Sequence, residues 1–504
     1  MTQRGGVVTP PGAGSGVSGA RALALCATSV GLVWVTAFLG ASPATRVPPG
    51  AGALPPYDLQ SLGVTGAPSP WLVVGLLVLA VAAGVAGLLF GLAALARGWA
   101  PAPRRLVAFG LVAAGLLLLV PPTTSDDLYS YTAYGRIAAL GRDPYATTPN
   151  DLPDDPVARE AGEPWRDVPS VYGPVATGVQ ALAARAAGPH PRTAATLLAL
   201  TSAAAFGLTG LVLDRLAASE AGRRRAALLW TANPLLLVHL VAGAHLDALL
   251  VLLAVAAVAA ARRSYLAAGA LAGAAACVKL SGALAGVALA WSVRRQPRRL
   301  LAVAIGAVLV TPPAYVLVGG WSALGPVRRA SRFVSFGSPW RALSVPLDDL
   351  VGSGPSRTIV SALSLLVVAL LCALLARGLP SVTAPASAPA SGPASTQDRT
   401  APHPAAVLPR TAAVVTLAWL IGATYVLPWY DAWAWPFLAL LPASRWDRWL
   451  AVRTAVLTVA YLPGRIAPLP PVLAGLLSGT RLYVTPVALG LLAVLAVRWC
   501  RESA

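Results

Sequence analysis

The chain is poor in charge and nearly devoid of lysine: of 504 residues 11% are charged and 57% hydrophobic, and Lys279 is the one lysine. So little charge excludes a soluble globular domain, in which about a quarter of the residues are charged. Cysteine is also scarce. Cys26, Cys277, Cys372 and Cys500 stand singly within or at the ends of apolar segments. That excludes a disulfide framework or a thiolate metal site and leaves small-residue packing. No spacing in the chain predicts a metal centre or a cofactor, and a need for a divalent cation stays open. Acidic residues number 19 against 38 basic ones, for a net charge of +19. A basic chain can bind nucleic acid, but these arginines gather in short loops between apolar runs. Cytoplasmic membrane loops have that pattern, so the expected partner is the membrane and not nucleic acid. No internal repeat of the kind common in transporters stands out.

What the chain does have is apolar stretches of about 17 to 25 residues, the length that a ~30 Å hydrocarbon core demands of helices. The expected fold class is an all-α polytopic membrane protein of roughly 13–14 transmembrane helices, both termini inside. Residues 1–21 read as a disordered cytoplasmic tail and 22–40 as a first span, retained rather than cleaved as a signal peptide. Further spans fall near 71–96, 106–121, 193–217, 300–318 and 357–376. Residues 22–377 thus form an N-terminal transmembrane module with outer loops at 122–190 and 319–356. A Pro/Ala/Ser-rich cytoplasmic linker at 378–410 separates it from a C-terminal bundle at 411–504, with spans near 411–427, 433–444, 449–463 and 482–498.

The arginines constrain topology. Arg225 and Arg262 bracket an apolar stretch long enough to go out and return, which puts His239 to Asp247 near the outer face. The same argument puts Lys279 at a tip between Arg263 and Arg294, and Pro428 to Trp433 at a tip between Arg410 and Arg445. The legs flanking Lys279 are shorter than a usual span. These three tips join the polar stretch Thr123–Tyr145, TTSDDLYSYTAYGRIAALGRDPY, on one side of the membrane. The loop containing that stretch is the most acidic part of the chain and too long for a plain connection, which favours a functional site.

Asp126 and Asp127 are the candidate catalytic residues. A transferase whose donor leaves as a phosphate needs one base for the acceptor hydroxyl and fixed cations for the departing phosphate. Either aspartate could be the base. Lys279, Arg328, Arg329 and Arg332 could supply the cations, and outward arginines run against the positive-inside bias. Ser125-Asp126-Asp127 equally suits a helix N-cap with acidic first-turn residues, and the two roles are compatible. Within a helix starting there, Asp127, Tyr131 and Tyr134 share a face. His245 and Asp247, two residues apart, do not share a helical face, which argues against a zinc pair and for a turn that binds substrate or backbone. Trp429 and Tyr430 suit either an aromatic belt or stacking against sugar. Asp348 and Asp349 read as a solvated pair.

The segments Ser125–Tyr131, Tyr134-Gly135-Arg136, Gly141-Arg142-Asp143-Pro144-Tyr145, Val171-Tyr172-Gly173-Pro174, Asn233-Pro234, Ala244–Ala248, Lys279-Leu280-Ser281 and Leu427-Pro428-Trp429-Tyr430 come in an order that resembles the actinobacterial polyprenyl-phosphomannose-dependent α-1,6-mannosyltransferases. The likeness covers about 120–435. It implies a GT-C glycosyltransferase with a large extracytoplasmic first catalytic loop in the plasma membrane. It further implies polyprenyl-phosphate-mannose as donor, inversion, and a lipid-linked α-1,6-mannan acceptor of the lipomannan and lipoarabinomannan precursors. The family's acidic residue maps onto Asp126 or Asp127. Substrate-binding positions are then expected at Tyr129, Tyr134, Arg136, Tyr145, Tyr172, His245, Asp247, Lys279, Arg328, Arg329, Arg332, Trp429 and Tyr430. The family often has Asn where this chain has Leu246, a departure that bears on His245 and Asp247. Other readings are a GT-C enzyme using a different lipid-linked sugar, a transporter or lipid flippase, and a membrane scaffold.

Overall fold

The computed structural model of the chain describes residues 13–47, 49, 55–163, 165–380 and 404–502, and apart from one isolated bridge those residues form helices and connecting turns. Helix α1 (Ala13–Phe38) packs along α2 (Pro70–Ala96). It begins earlier than expected, so residues 13–21 are helical rather than a disordered tail; residues 1–12 lie outside the described residues. The two helices approach closely because α2 offers Gly87 to Cys26, whose Sγ would lie 2.8 Å from any Cβ placed there. Small residues at helix contacts are how membrane helices gain packing in the absence of a hydrophobic force between them.

Next come α3 (Pro103–Leu117), α4 (Asp127–Ala139), α5 (Pro174–Ala187) and α6 (Pro191–Leu216). Proline at the first helical position starts α2, α3, α5 and α6, where its missing N–H costs nothing. The long loop at 122–190 is therefore folded: α4 and α5 pack on each other, with three short 3-10 turns between them. Helix α7 (Glu220–Leu229) and α8 (Pro234–Ala242, π-helical from Leu237) form one apolar path bent by 40°. Then follow α9 (Asp247–Ala260), α10 (Tyr265–Ala276), α11 (Ala283–Ser292), α12 (Pro297–Val318), α13 (Leu324–Ala330), α14 (Arg341–Val351) and α15 (Ser353–Gly378). The last part holds α16 (Pro404–Gly422), a 3-10 turn at Pro428–Trp433, α17 (Trp435–Ala439), α18 (Arg445–Tyr461), α19 (Pro471–Gly479) and α20 (Thr485–Glu502).

The protein is a polytopic, all-helical membrane protein. Among the described residues six helices are long and apolar enough to cross a bilayer, and the bent α7–α8 pair makes a seventh. Four more apolar helices, including α9 and α10, are shorter. Several expected spans are thus half-length helices. The stretch 433–444 holds only the five-residue α17 and a turn. The expected linker is helical from Pro404, and its residues 381–403 lie outside the described residues.

The molecule has two chemically different ends. Short connections α2–α3, α6–α7, α9–α10 and α11–α12 carry or adjoin the arginines. Arg225 is not solvated there. It is buried, donates from Nη1 and Nη2 to the two Asp447 carboxylate oxygens at 2.6 Å each, and reaches the Leu438 and Leu441 carbonyls at 2.9 Å. This pins α7 to α17 and α18. The opposite connections, α3–α4, α8–α9, α10–α11 and the 3-10 turn before α17, meet one another and form the candidate site.

Candidate active site

Pro121 and Pro122 follow the end of α3, and Thr123 then forms the isolated bridge with Thr45, its hydroxyl 2.8 Å from the Thr45 hydroxyl. The Thr123 amide donates to the Ala242 carbonyl at 2.8 Å. Thr124 then turns through the left-handed region, φ 71°, and its amide donates to the Ala44 carbonyl. A non-glycine residue held there is strained and needs its surroundings to hold it. The turn throws the next two carboxylates in different directions.

Asp126 receives Arg465 Nε at 2.7 Å on Oδ1 and caps no backbone group. Ser125 supplies the cap, its hydroxyl oxygen accepting from the Asp127 amide at 3.1 Å. Asp127 opens α4 and points inward. Its Oδ2 lies 3.5 Å from the Tyr131 hydroxyl, one helical turn on, and 3.6 Å from His245 Nδ1. Its side chain keeps 14% exposure. Burial pushes the Asp127 carboxyl up to about 7, an effect that Lys279 opposes and that Asp247 and Asp126 reinforce.

His245 follows Ala244, the other non-glycine residue with a positive φ among the described residues, at 49°. The imidazole is fully buried and stacks on Trp429, ring centroids 3.7 Å apart. Its Nδ1 is 3.2 Å from the Tyr131 hydroxyl, while Nε2 has no hydrogen-bond partner among the described residues. Asp247 opens α9, and its Oδ1 accepts from Trp433 Nε1 at 2.9 Å and from Lys279 Nζ at 3.4 Å. The Lys279 ammonium also lies 4.1 Å from the Tyr430 ring centre, 5.7 Å from Trp433 and 6.0 Å from Tyr172. This is a cation held by π-faces and one carboxylate, with donor capacity left over. The 3-10 turn that presents these rings is anchored from behind by a buried Arg453–Asp431 ion pair and by Thr454 Oγ1, which donates to Asp431 Oδ2 at 2.8 Å.

The three hairpin tips and the first loop therefore converge: Asp127, Tyr172, His245, Asp247, Lys279, Trp429 and Tyr430 share one cleft. Tyr134 flanks Tyr172 with ring centroids 6.4 Å apart, its hydroxyl donating to the Val168 carbonyl. Other expected positions lie apart. Tyr129 donates to the Arg46 carbonyl at 2.6 Å, Arg136 pairs with Asp155 at 2.7 Å, and the Tyr145 hydroxyl lies 3.2 Å from that of Thr177. These three are struts of the folded loop. Arg328, Arg329 and Arg332 sit on and after α13 with no side-chain hydrogen bond or ion pair among the described residues. Their segment approaches the cleft through Phe333, which packs near Tyr425, itself beside Tyr430, and through Ser335, whose hydroxyl accepts from the Val426 amide at 3.0 Å. Tyr131, Trp433 and Arg465 belong to the site without having been singled out as substrate or catalytic positions. Tyr131 shares the Asp127 helix face. Arg465 follows the expected span 449–463 at the end opposite the arginine-rich connections, so its departure from the positive-inside bias was a usable signal. Among the described residues no three His, Cys, Asp or Glu side chains gather as metal ligands.

A family model described as "Alpha-(1->6)-mannopyranosyltransferase, N-terminal domain" matches residues 16–295, more than half of the chain. A Mycolicibacterium smegmatis protein named as a probable alpha-(1->6)-mannopyranosyltransferase is 32% identical over 239 residues, 45% of this chain and 38% of that protein. Alpha-(1->6)-mannopyranosyltransferase B of Corynebacterium glutamicum is 34% identical over 142 residues, 27% of this chain and 23% of that one. Alpha-(1->6)-mannopyranosyltransferase A of Mycobacterium tuberculosis is 34% identical over 149 residues, 28% of each chain. The matched stretches thus span less than two fifths of these relatives' lengths. No solved structure matches the chain.

Proposed function

The chain belongs to the alpha-(1->6)-mannopyranosyltransferase family, and from that membership and the chemistry of the cleft we propose that it is a membrane mannosyltransferase. Its donor is polyprenyl-phosphate-mannose and its acceptor a hydroxyl of a lipid-linked α-1,6-mannan, used at the outer face of the plasma membrane. Support for the outer face comes from the arginines, which crowd the connections at the other end of the helices.

The observation that carries the reading is the meeting of Asp127 and Lys279 in one aromatic-walled cleft, where Lys279 pairs with Asp247 and its charge favours the ionised form of Asp127. Asp127 takes the proton of the acceptor hydroxyl as that oxygen forms its bond to the anomeric carbon. The bond from that carbon to the phosphate oxygen breaks on the opposite side, and the configuration inverts. The electron pair leaves with the lipid phosphate, whose growing charge Lys279 meets at close range. Asp247 and the Tyr430 and Trp433 faces hold Lys279 in place until the phosphate arrives. Tyr131 and His245 fix the Asp127 carboxylate, since its face on that side is filled by the tyrosine hydroxyl and the imidazole. Asp126, paired with Arg465, supports the turn and leaves the base role to Asp127.

The test is to incubate membranes holding the protein with radiolabelled polyprenyl-phosphate-mannose and a short mannoside. Extension of the mannoside by labelled mannose is expected. A protein that moves the donor across vesicle membranes but leaves the mannoside unextended would be a transporter, and the proposal would be wrong.

A further inference from the structure

The C-terminal bundle lies outside the matched part of the family model, yet besides the rings of the 428–433 turn it sends Arg465 to the turn that carries the aspartates. Arg465 Nε donates to Asp126 Oδ1 at 2.7 Å, and its Nη1 donates to the carbonyls of Ser42 at 2.7 Å and Thr45 at 3.0 Å. One guanidinium thus joins three distant stretches: the loop after α1, the turn before α4, and the segment after α18. Its neighbour Gly464 has φ 99° and lies so close to the Thr124 carbonyl that any Cβ would collide with it. Thr124 is itself the strained residue that aims the two aspartates apart. Asp126 has no other cation within ion-pair distance among the described residues.

We propose that Arg465 is a positioning residue of the transfer reaction, which neutralises Asp126 and clamps the Thr124 turn so that Asp127 enters the cleft as a usable base. The proposal rests on the reading of Asp127 as that base. An unpaired Asp126 beside Asp127 would place two like charges on consecutive residues, and the inner one would hold its proton. With Arg465 in place, the charge of Asp126 is balanced where it stands, and the inner carboxylate can ionise within the working pH range. The groups that face Asp127 come from every element around it. They are Asp126 from the turn, Tyr131 from α4, His245 and Asp247 from the start of α9, and Lys279 between α10 and α11. Tyr134, Tyr172, Tyr425, Tyr430 and Tyr461 surround them as neutral hydroxyls. Among the described residues the one ion pair that Arg465 makes is with Asp126, so its charge effect on this set is separable from its hydrogen bonds to the Ser42 and Thr45 carbonyls.

The experiment follows labelling of Asp127 by a hydrophobic carbodiimide, which reacts with protonated carboxyls, by mass spectrometry of the purified full-length protein across pH. In R465Q the midpoint of labelling moves up by about one pH unit, the size expected for a like charge left uncompensated nearby. In D126N it moves down, because Arg465 is then the unbalanced charge. The double variant D126N/R465Q returns to the wild-type midpoint. R465K keeps the cation and stays near the wild type, and together with D126N it decides the matter should R465Q fail to fold. Equal midpoints in wild type and R465Q, an R465Q shift that D126N does not reverse, or an unmoved D126N midpoint would overturn the proposal. Mannosyl transfer by the same preparations separates the two claims. Absence of transfer by the wild type ends the functional reading, and the labelling midpoints still decide the role of Arg465.

Discussion

The two ends of the helices use ionised side chains in opposite ways. At the arginine-rich end, Arg225 and Asp447 are both buried and closed on each other at 2.6 Å, with the remaining guanidinium donors on two carbonyls. Four of the five guanidinium N–H donors are used within the fold. At the other end, among the described residues, Lys279 stands 3.4 Å from Asp247, the Asp127 carboxylate makes only contacts of 3.5 and 3.6 Å, and His245 Nε2 has no hydrogen-bond partner. Saturated short pairs hold the fold together, whereas long and incomplete ones are poised for groups that arrive from outside. A buried pair broken by removing one partner leaves an uncompensated charge. A polar group that waits for substrate costs stability until the substrate comes, and active sites carry that cost.

The contrast is broken most severely at Asp127. Asp127→Asn keeps the shape of the carboxylate and removes the base, so kcat should fall by about two to four orders of magnitude while the unfolding temperature in detergent holds or rises. Arg225→Ala should do the reverse, costing about 3–5 kcal/mol of stability. It would be read as lost folded protein in a thermal unfolding series, with the surviving fraction keeping its KM. Lys279→Met should raise KM for the donor and lower kcat, together about 10- to 100-fold in kcat/KM, the worth of one charged hydrogen bond. The smallest effect is expected at Trp429→Ala, which removes the ring stacked on His245. A stacked pair is worth about 0.5–1.5 kcal/mol, so a several-fold loss in kcat/KM is expected. If Arg225→Ala left stability intact, or Asp127→Asn unfolded the protein, the distinction between the two ends would collapse.

Much of this arrangement was legible in the sequence because arginine marks one side of a membrane protein. The brackets Arg225–Arg262, Arg263–Arg294 and Arg410–Arg445 placed three tips opposite, and those tips meet Asp127. What the arginines could not give was their own fate. Arg225 served as a topological mark, yet it is buried against a residue 222 positions away, a pairing that no local pattern announces. The acidity of the loop was also misleading in part, since Asp155 and Glu160 are engaged by Arg136 and Arg46 as struts. Span counting overran because hydropathy does not register a break. Residues 433–444 are apolar enough for a leg but follow a 3-10 turn that ends at Trp433 and hold a helix of only five residues. The arginines at 328, 329 and 332 broke the charge rule and drew attention, while Arg465 broke it more quietly and is the one paired with Asp126.

The most direct measurement is kcat/KM for mannosyl transfer against pH. Burial raises the Asp127 carboxyl to about 7, and a base works only when ionised, so the rate should fall about tenfold for each pH unit below a midpoint near 7. The same raised carboxyl binds its proton more tightly folded than unfolded, so its contribution to stability is greatest in acid and is lost as the pH rises toward 7. Activity and stability should therefore run in opposite directions across this window. A rate that stays level from about pH 5 to 8, or an acid limb that persists unchanged in Asp127→Asn, would contradict the assignment of Asp127 as the base.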